Sequence, residues 1–445
     1  MTVCFPFQQK GWVGLCFAFS VAAQATSVVA ALAQEPVATV QDSTARQLSI
    51  EEALHLGQNN LPQLVMAWAE QKVVESGKTG AALWFSQNPL FTAMLGKRTE
   101  TTQDPTAKGF QYQVHVEQAF EIAGPRFARL AAWAAKVDVA EAQTELAHVE
   151  TRALLQTAYM QAALSEQRVV VAQNREALAN QFLASAATRL QLGATGALEV
   201  NLAQIEKGRV QADRVQAQID ASNRHTLLKV LCGIEHGTQL SLSTPHLLLP
   251  QFAKPITDLE ELIALANANR ADLRALDKQK AALAEESGRL RREAFPNLLL
   301  AFDYQRDLPG QVFVGGTVGL SLPVWNRNQG PLAQVAAQER KRQAEERLLR
   351  NRIVGEVAQA HARVVLLRSQ VETFRKDVLP PSENNIDLLQ RGWQAGKFDL
   401  FRVIAASREL ADTRLRGLSL LEELWSAALE LERAVGVVLI ERGLR

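Results

Sequence analysis

Hydrophobic and polar positions alternate with a period of two over one stretch of this chain. In Phe110-Gln-Tyr-Gln-Val-His-Val-Glu-Gln-Ala-Phe-Glu-Ile122 the even positions are apolar except Gln118, and the odd positions are polar except Ala119. That pattern predicts a strand with one dry and one wet face. Val312, Val314, Val318, Leu320 and Leu322 repeat the dry face in the second half, opposite Gln311, Thr317 and Ser321. Residues 90–99 and 298–306 are less regular and are read as the respective partners. Four strands are expected, at 89–102, 109–123, 297–306 and 311–324, each near the roughly 9–11 residues that cross a bilayer when tilted.

Elsewhere the pattern is helical. From Arg126 to Leu192, about 67 residues contain no Gly and no Pro while Ala, Gln, Glu, Leu and Arg recur. This predicts one helix of roughly 100 Å at about 1.5 Å per residue. Gly193-Ala-Thr-Gly196 breaks it, and a second helical run, 197–231, interrupted only by Gly208, returns antiparallel. Leu146, Val149, Ala153, Tyr159 and Ala163 form a packing stripe along the first run. In the second half, Pro331 opens a run through Leu379, Pro380-Pro381 must kink or break it, and it resumes toward Arg391. After Gly392-Trp-Gln-Ala-Gly396 a return helix is expected over about 398–440.

The design is duplicated. Leu48-Ser-Ile-Glu-Glu-Ala-Leu and Ile256-Thr-Asp-Leu-Glu-Glu-Leu each open a short capped helix, followed by an Asn-containing break and a second helix ending near Asn88-Pro89 or Phe295-Pro296. The offset of about 205 residues fits duplication of a whole unit rather than a solenoid. The expected organisation is a first repeat over 48–235 with its hairpin at 126–235, a linker at 236–255, and a second repeat over 256–441 with its hairpin at 327–441. The fold class is mainly α with a small β part.

At 47% hydrophobic residues the 445-residue chain can bury a core, which excludes disorder as its main state. Lys10 precedes an uncharged apolar stretch, 11–23, and Ala31-Leu32-Ala33 stands before Gln34, so residues 1–33 read as a cleaved secretory signal and 34–47 as a linker. A retained anchor is the weaker alternative, since the apolar part is shorter than the roughly 20 residues a spanning helix needs. Leu15 directly before Cys16 does not fit a lipoprotein processing site. Cys232 then remains as the mature chain's one cysteine and reads as a small buried hydrophobe. Removing Lys10 from the 48 basic residues leaves 47 against 47 acidic ones, a balance that gives no support to nucleic-acid binding.

No later segment is apolar enough for a transmembrane helix, so any membrane span must be made of strands. Four strands cannot close a barrel, for which about eight are the minimum, so several chains must share one. Three copies give twelve strands around a water-filled lumen lined by Gln111, Gln113, His115 and Glu117.

With these elements in order, the chain resembles the TolC family of outer-membrane factors over essentially all of residues 45–441. The resemblance is carried by the Leu48-Ser-Ile-Glu-Glu-Ala-Leu opening and the corner Glu117-Gln-Ala-Phe-Glu-Ile-Ala-Gly-Pro-Arg126 with its counterpart Leu322-Pro-Val-Trp-Asn-Arg327. The tips Arg189-Leu-Gln-Leu-Gly-Ala-Thr-Gly-Ala-Leu-Glu-Val200 and Arg391-Gly-Trp-Gln-Ala-Gly-Lys-Phe-Asp-Leu400 complete it. The corner, with Gly124, Pro125 and Arg126, looks most like the CzcC branch, which the family pairs with heavy-metal exporters of the resistance-nodulation-division type. The resemblance implies a homotrimeric barrel in the outer membrane, an α-helical periplasmic tunnel closed at its far end, and opening on engagement with a periplasmic adaptor and an inner-membrane pump. It also implies acidic residues beyond the tips. Glu199 occupies such a position, whereas Arg402 stands where an acid is expected and Ala405 replaces another. Glu199 and Arg402, with Asp399, are therefore expected to form ion pairs across neighbouring hairpins that favour the closed state.

Other chemistry is not supported. The histidines are scattered, and the mature chain has one Cys and three Met, so no metal site and no cofactor are expected. Gly315-Gly316 and Gly319 do not precede a helix as a phosphate loop would, Glu51-Glu52 and Glu260-Glu261 fit first-turn helix charges, and no nucleophile motif is present, so an enzyme is not expected. The rival function is a periplasmic coiled-coil adaptor or scaffold, which would share the signal and the hairpins but would not need the alternating strands.

Overall fold

The two short helix pairs show why the chain folds as a repeat. In this computed structural model, β1 (Arg46–Leu48) leads to α1 (Ile50–Asn60), where Ser49 caps the helix by accepting the Glu52 N–H at 3.1 Å and Glu51 and Glu52 occupy the first turn. In the second half α6 (Leu259–Asn269) is capped by Asp258, which accepts the Glu260 N–H at 2.9 Å, with Glu260 and Glu261 in its first turn. Each helix ends on an asparagine whose side-chain amide donates four residues back, Asn60 to the Leu56 carbonyl and Asn269 to that of Leu265, both at 2.9 Å. A single extended residue then separates each from the next helix, α2 (Pro62–Ser76) or α7 (Ala271–Glu293).

The structure describes residues 46–98, 109–235, 237–243, 249–252, 258–307 and 310–440. The expected signal at 1–33, positions 34–45 of the first linker, 99–102 of the first strand, and 236, 244–248 and 253–255 of the second linker lie outside the described residues.

From α2 the chain passes through α3 (Lys78–Ala81), β2 (Leu90–Arg98) and β3 (Gly109–Glu121) into α4 (Pro125–Gln191), which α5 (Ala197–Cys232) answers antiparallel. After β4 (Leu240–Leu242), α6 and α7, the strands β5 (Asn297–Arg306) and β6 (Val312–Leu320) feed α8 (Gln329–Thr373), then α9 (Leu379–Gln394) and α10 (Leu400–Val435). At 67 residues, α4 spans roughly 100 Å.

Several boundaries differ from expectation for identifiable reasons. The helix expected to run toward Asn88-Pro89 stops at Ser76 and, after Gly77, one further turn follows in α3; Gly77 lies so close to the Trp133 indole that a Cβ there would sit 2.0 Å from the ring. The indole N–H donates to the Val74 carbonyl at 2.7 Å, which also accepts the Gly77 N–H at 3.2 Å. β6 ends at Leu320 rather than 324, ahead of Pro323, which has no ladder N–H. Pro380-Pro381 produce no loop: a π-turn over Phe374–Val378 widens the helix, and the prolines fall in the first turn of α9, where their missing N–H groups cost least. α10 stops at Val435 instead of reaching 440, because Gly436 adopts φ 77° and turns the chain back, so that Ile440 bridges Phe252.

The larger core gathers where α1, α6 and the parallel β1–β4 pair cross the long helices. It is built from Leu48, Tyr159, Leu228, Ile353, Val357, Leu424 and Leu431, all fully buried or nearly so. The Tyr159 hydroxyl lies 2.9 Å from the carbonyls of both Leu48 and Ser243, tying the strand pair to α4. Cys232 is buried in this core as expected. Among the described residues, no helix is long and apolar enough to cross a membrane.

Gly436→Ala should destabilise this junction by about 1–3 kcal/mol, since a Cβ would be strained at positive φ and would meet the Arg270 backbone at 3.2 Å. A lowered thermal midpoint of the purified protein, with unchanged helical circular dichroism at 25 °C, is the expected result.

Candidate functional site

The four long strands form one antiparallel sheet in the order β2-β3-β5-β6. The central pair joins the two repeats: His115 stands opposite Asp303, Glu117 opposite Ala301 and Val114 opposite Tyr304. This register puts Gln111, Gln113, His115 and Glu117 on one face together with Asp303, Gln305 and Thr317. The other face carries Phe91, Leu95, Phe110, Val114, Val116, Leu300, Phe302, Val314 and Val318. Leu95 is 82% exposed and Val318 73%, so nothing among the described residues covers this apolar face. Gln118, the polar interruption in it, donates to the Gln87 carbonyl at 3.1 Å. Lys97 and Arg306 belong to the apolar set at the end away from the helices, beside the stacked rings of Tyr112 and Tyr304. At the helix end, Trp84, Phe127, Phe295 and Trp325 are all well exposed. An apolar band between aromatic and basic rims is what a strand sheet shows to a bilayer.

The corner residues Gly124, Pro125 and Arg126 turn β3 into α4. Gly124 is left-handed at φ 68°, and Pro125 takes the first helical position, where its ring presets the backbone. Arg126 donates to the Ala82 carbonyl at 3.0 Å and lies 4.2 Å over the Trp84 ring. Arg129 grips Glu121 through two contacts of 2.6 and 2.7 Å and reaches the Leu83 carbonyl at 3.1 Å. At the second corner Asn328 is left-handed at φ 58°, a conformation asparagine tolerates, and its side chain donates to the Leu290 carbonyl at 2.9 Å. Both corners therefore start their helices from a left-handed residue.

At the hairpin tips, Asp399 caps α10 by accepting the Arg402 N–H at 2.9 Å, and the Arg402 guanidinium lies 3.8 Å from the same carboxylate, with both side chains more than half exposed. Glu199 sits in the first turn of α5, its Oε2 shielded from solvent and without a hydrogen-bond partner. The structure thus brings Asp399 and Arg402 together, while Glu199 forms no ion pair with either within the chain.

What joins the two hairpins was not legible in the sequence. Glu206, 3% exposed, lies two turns beyond Glu199 on the buried stripe of Ala203 and Val210. It accepts from Arg175 of α4 at 3.0 Å and from Arg408 of α10, whose Nε is 3.0 Å away. Burial pushes the Glu206 carboxyl up, but the bonds from Arg408 and Arg175 outweigh it and hold the group below its ordinary 4.5. Nearer the tips, Arg189 of α4 donates to the Trp393 carbonyl at 3.3 Å and lies over that indole, which Phe182 meets edge-on at 5.6 Å. A glutamate on an apolar helix stripe was the available signal for this clasp, and its partners are 31 and 202 residues away in sequence. Among the described residues no cluster of His, Cys, Asp and Glu could hold a metal ion.

No family model matches the chain. It is 25% identical over 395 residues to the cobalt-zinc-cadmium resistance protein CzcC of Cupriavidus metallidurans, covering 87% of this chain and 90% of that protein. Among solved structures it superposes on the outer-membrane channel OprN with a TM-score of 0.69 at 17% identity, covering 87% of this chain and 89% of that one. CusC, described as forming a transmembrane channel, gives a TM-score of 0.70 at 16% identity over 87% and 92%. The outer membrane protein VceC of Vibrio cholerae gives 0.68 at 17% over 87% and 96%. The chain has the fold of these outer-membrane channels.

Arg408→Ala should cost about 1–3 kcal/mol, because Glu206 keeps its burial and loses a charged donor. The clasp also has a pH signature. A carboxyl held below its unfolded value contributes stability above about pH 4.5 and loses it as pH falls through the folded value. The gap in thermal midpoint between wild type and Glu206→Gln should therefore be full at pH 7 and close on acidification below pH 4.5.

Proposed function

We propose that this chain is the outer-membrane component of a tripartite efflux system, a passive duct that carries substrates from an inner-membrane resistance-nodulation-division pump, through a periplasmic adaptor, to the exterior. The observation that carries this reading is the open four-stranded sheet, polar on one face and exposed apolar on the other, running through two corners into helices of up to 67 residues. Three copies close a twelve-stranded barrel, pairing the outer edge of β2 with that of β6 from the next protomer and turning the apolar faces to lipid. The helices continue the lumen into the periplasm. Likeness to CzcC and to the channels OprN, CusC and VceC supports the same function, and the name of the first supports heavy-metal cations as cargo.

The closed state is held at the hairpin ends. Within each protomer Glu206, Arg175 and Arg408 fasten the two hairpins. Between protomers, Glu199 in the first turn of α5 meets the Asp399–Arg402 pair of a neighbour. The duct performs no catalysis, and the energy for export comes from the pump.

Membrane fractionation separates this reading from a periplasmic scaffold: the protein should sediment with outer membranes, require detergent for extraction and run as a trimer by native mass, whereas recovery from the soluble periplasm would sink it. In planar bilayers Arg408→Ala and Arg402→Ala should each raise the small closed-state current several-fold, and an unchanged current in either would remove that residue from the gate.

A further inference from the structure

We infer that Lys97 and Arg306, at the far rim of the sheet's apolar face, form a docking belt for phosphorylated lipids of the outer leaflet; this rests on the channel reading and names what that rim binds. Among the described strand residues the apolar set contains two charges, both basic and both at the end away from the helices. The acids Glu117, Glu121 and Asp303 all belong to the polar set. Neither Lys97 nor Arg306 is paired with a carboxylate among the described residues. Other cations of the chain do find acids, as Arg129 finds Glu121 and Arg175 finds Glu206.

Lys97 stands opposite Phe110, and Arg306 lies between Tyr112 on β3 and Val312 on β6. The Arg306 side chain hydrogen-bonds that of Tyr112, whose ring stacks on Tyr304 with centroids 6.0 Å apart. Lys97 and Arg306 are exposed, and Phe110 beside them is 74% exposed, so cations and rings face outward together. A cation unpaired beside hydrocarbon is unfavourable unless it extends to the headgroup level and meets an oxyanion there. The guanidinium fork suits phosphate oxygens, and the neighbouring rings offer apolar faces to the carbons of a sugar. In the channel reading this rim is the exterior one, where the outer leaflet presents phosphorylated glycolipid.

The strand order spaces the cations evenly. Between Lys97 on β2 and Arg306 on β5 lies one strand, β3, and between Arg306 and β2 of the next protomer lies one strand, β6. A closed trimer therefore carries a cation on every second strand, about 10 Å from the next at roughly 4.8 Å per strand. Arg306 of one copy and Lys97 of the next flank the seam between protomers, so an anionic headgroup bridges the two copies. At the helix end the same face offers Phe120, Leu298 and Leu320, with no charge, which confines the belt to one leaflet.

The test is native mass spectrometry of the purified full-length trimer, stripped of lipid in detergent and then given diphosphorylated lipid A or zwitterionic phosphatidylethanolamine. Wild type should bind lipid A several-fold more than phosphatidylethanolamine, and lipid A should raise its trimer-dissociation temperature. Lys97→Gln combined with Arg306→Gln should lower lipid A occupancy several-fold and remove the temperature rise. Arg306→Gln alone, which should lower occupancy in part, serves if the double variant assembles poorly. Arg291→Gln, in the last turn of α7 at the other end of the sheet, should leave occupancy unchanged. Equal occupancy in wild type and both Gln variants would overturn the inference, as would release of lipid A by excess inorganic phosphate, the mark of a free-anion site. Either result leaves the duct intact, whereas a wild-type protein that forms no trimer would overturn the channel reading itself.

Discussion

Backbone N–H and C=O groups along the outer edges of β2 and β6 have no partner strand among the described residues, and in hydrocarbon each such group left unpaired costs several kcal/mol. The sheet also turns an uncovered apolar face outward. The proposed ring of strands from several copies, with its apolar face in lipid, meets both demands together. Water gives no comparable solution, because a long, flat, apolar edge is an aggregation site there. The corners hold the helices at one rim of the sheet, and in the proposed channel those helices carry the enclosed space onward.

The two repeats share more than topology. Each begins its first helix with a side-chain cap and two acids, ends it on an asparagine that bonds back along the helix, and starts its long helix from a left-handed residue. The residue types differ where the local geometry allows, as with Gly124 and Asn328. The halves meet at several levels, among them the β3–β5 ladder at one end and the Glu206 clasp toward the other. Between these lies the core around Tyr159, so the protomer is fastened at three levels along its length.

What sequence revealed follows from what is local. The period-two signal at 110–122 located β3 to within a residue or two, and the long Gly- and Pro-free run located α4, because face alternation and helix propensity are written in neighbouring residues. The lining set Gln111, Gln113, His115 and Glu117 follows from the same alternation, and the sheet places all four on one face. Pairings across hundreds of residues were hidden. Nothing near Glu117 announces Asp303, and nothing near Glu206 announces Arg408. The short β1–β4 pair was also missed, since three-residue strands hold too few positions for a period to register. Asp399 and Arg402 sit close together because capping is a three-residue matter. The expected pairing of Glu199 with Arg402 does not occur within the protomer, where one Glu199 oxygen lies shielded without a hydrogen-bond partner.

The π-turn at Phe374–Val378 resolves a counting problem in the second hairpin. Buried positions along α8 recur at Ile353, Val357, Ala360, Val364 and Val371, the three-four rhythm of a seven-residue repeat. On α9 they are Ile386 and Trp393, seven apart. Val371 to Ile386 is fifteen residues, one more than two repeats, so an unbroken α-helix would rotate the lower seam about 100° away from α10. The wide turn absorbs the surplus residue and restores the phase. The upper and lower halves of this helix are thus separate coiled-coil registers spliced at one point, and the chain can change the pitch of one half without rewriting the contacts of the other.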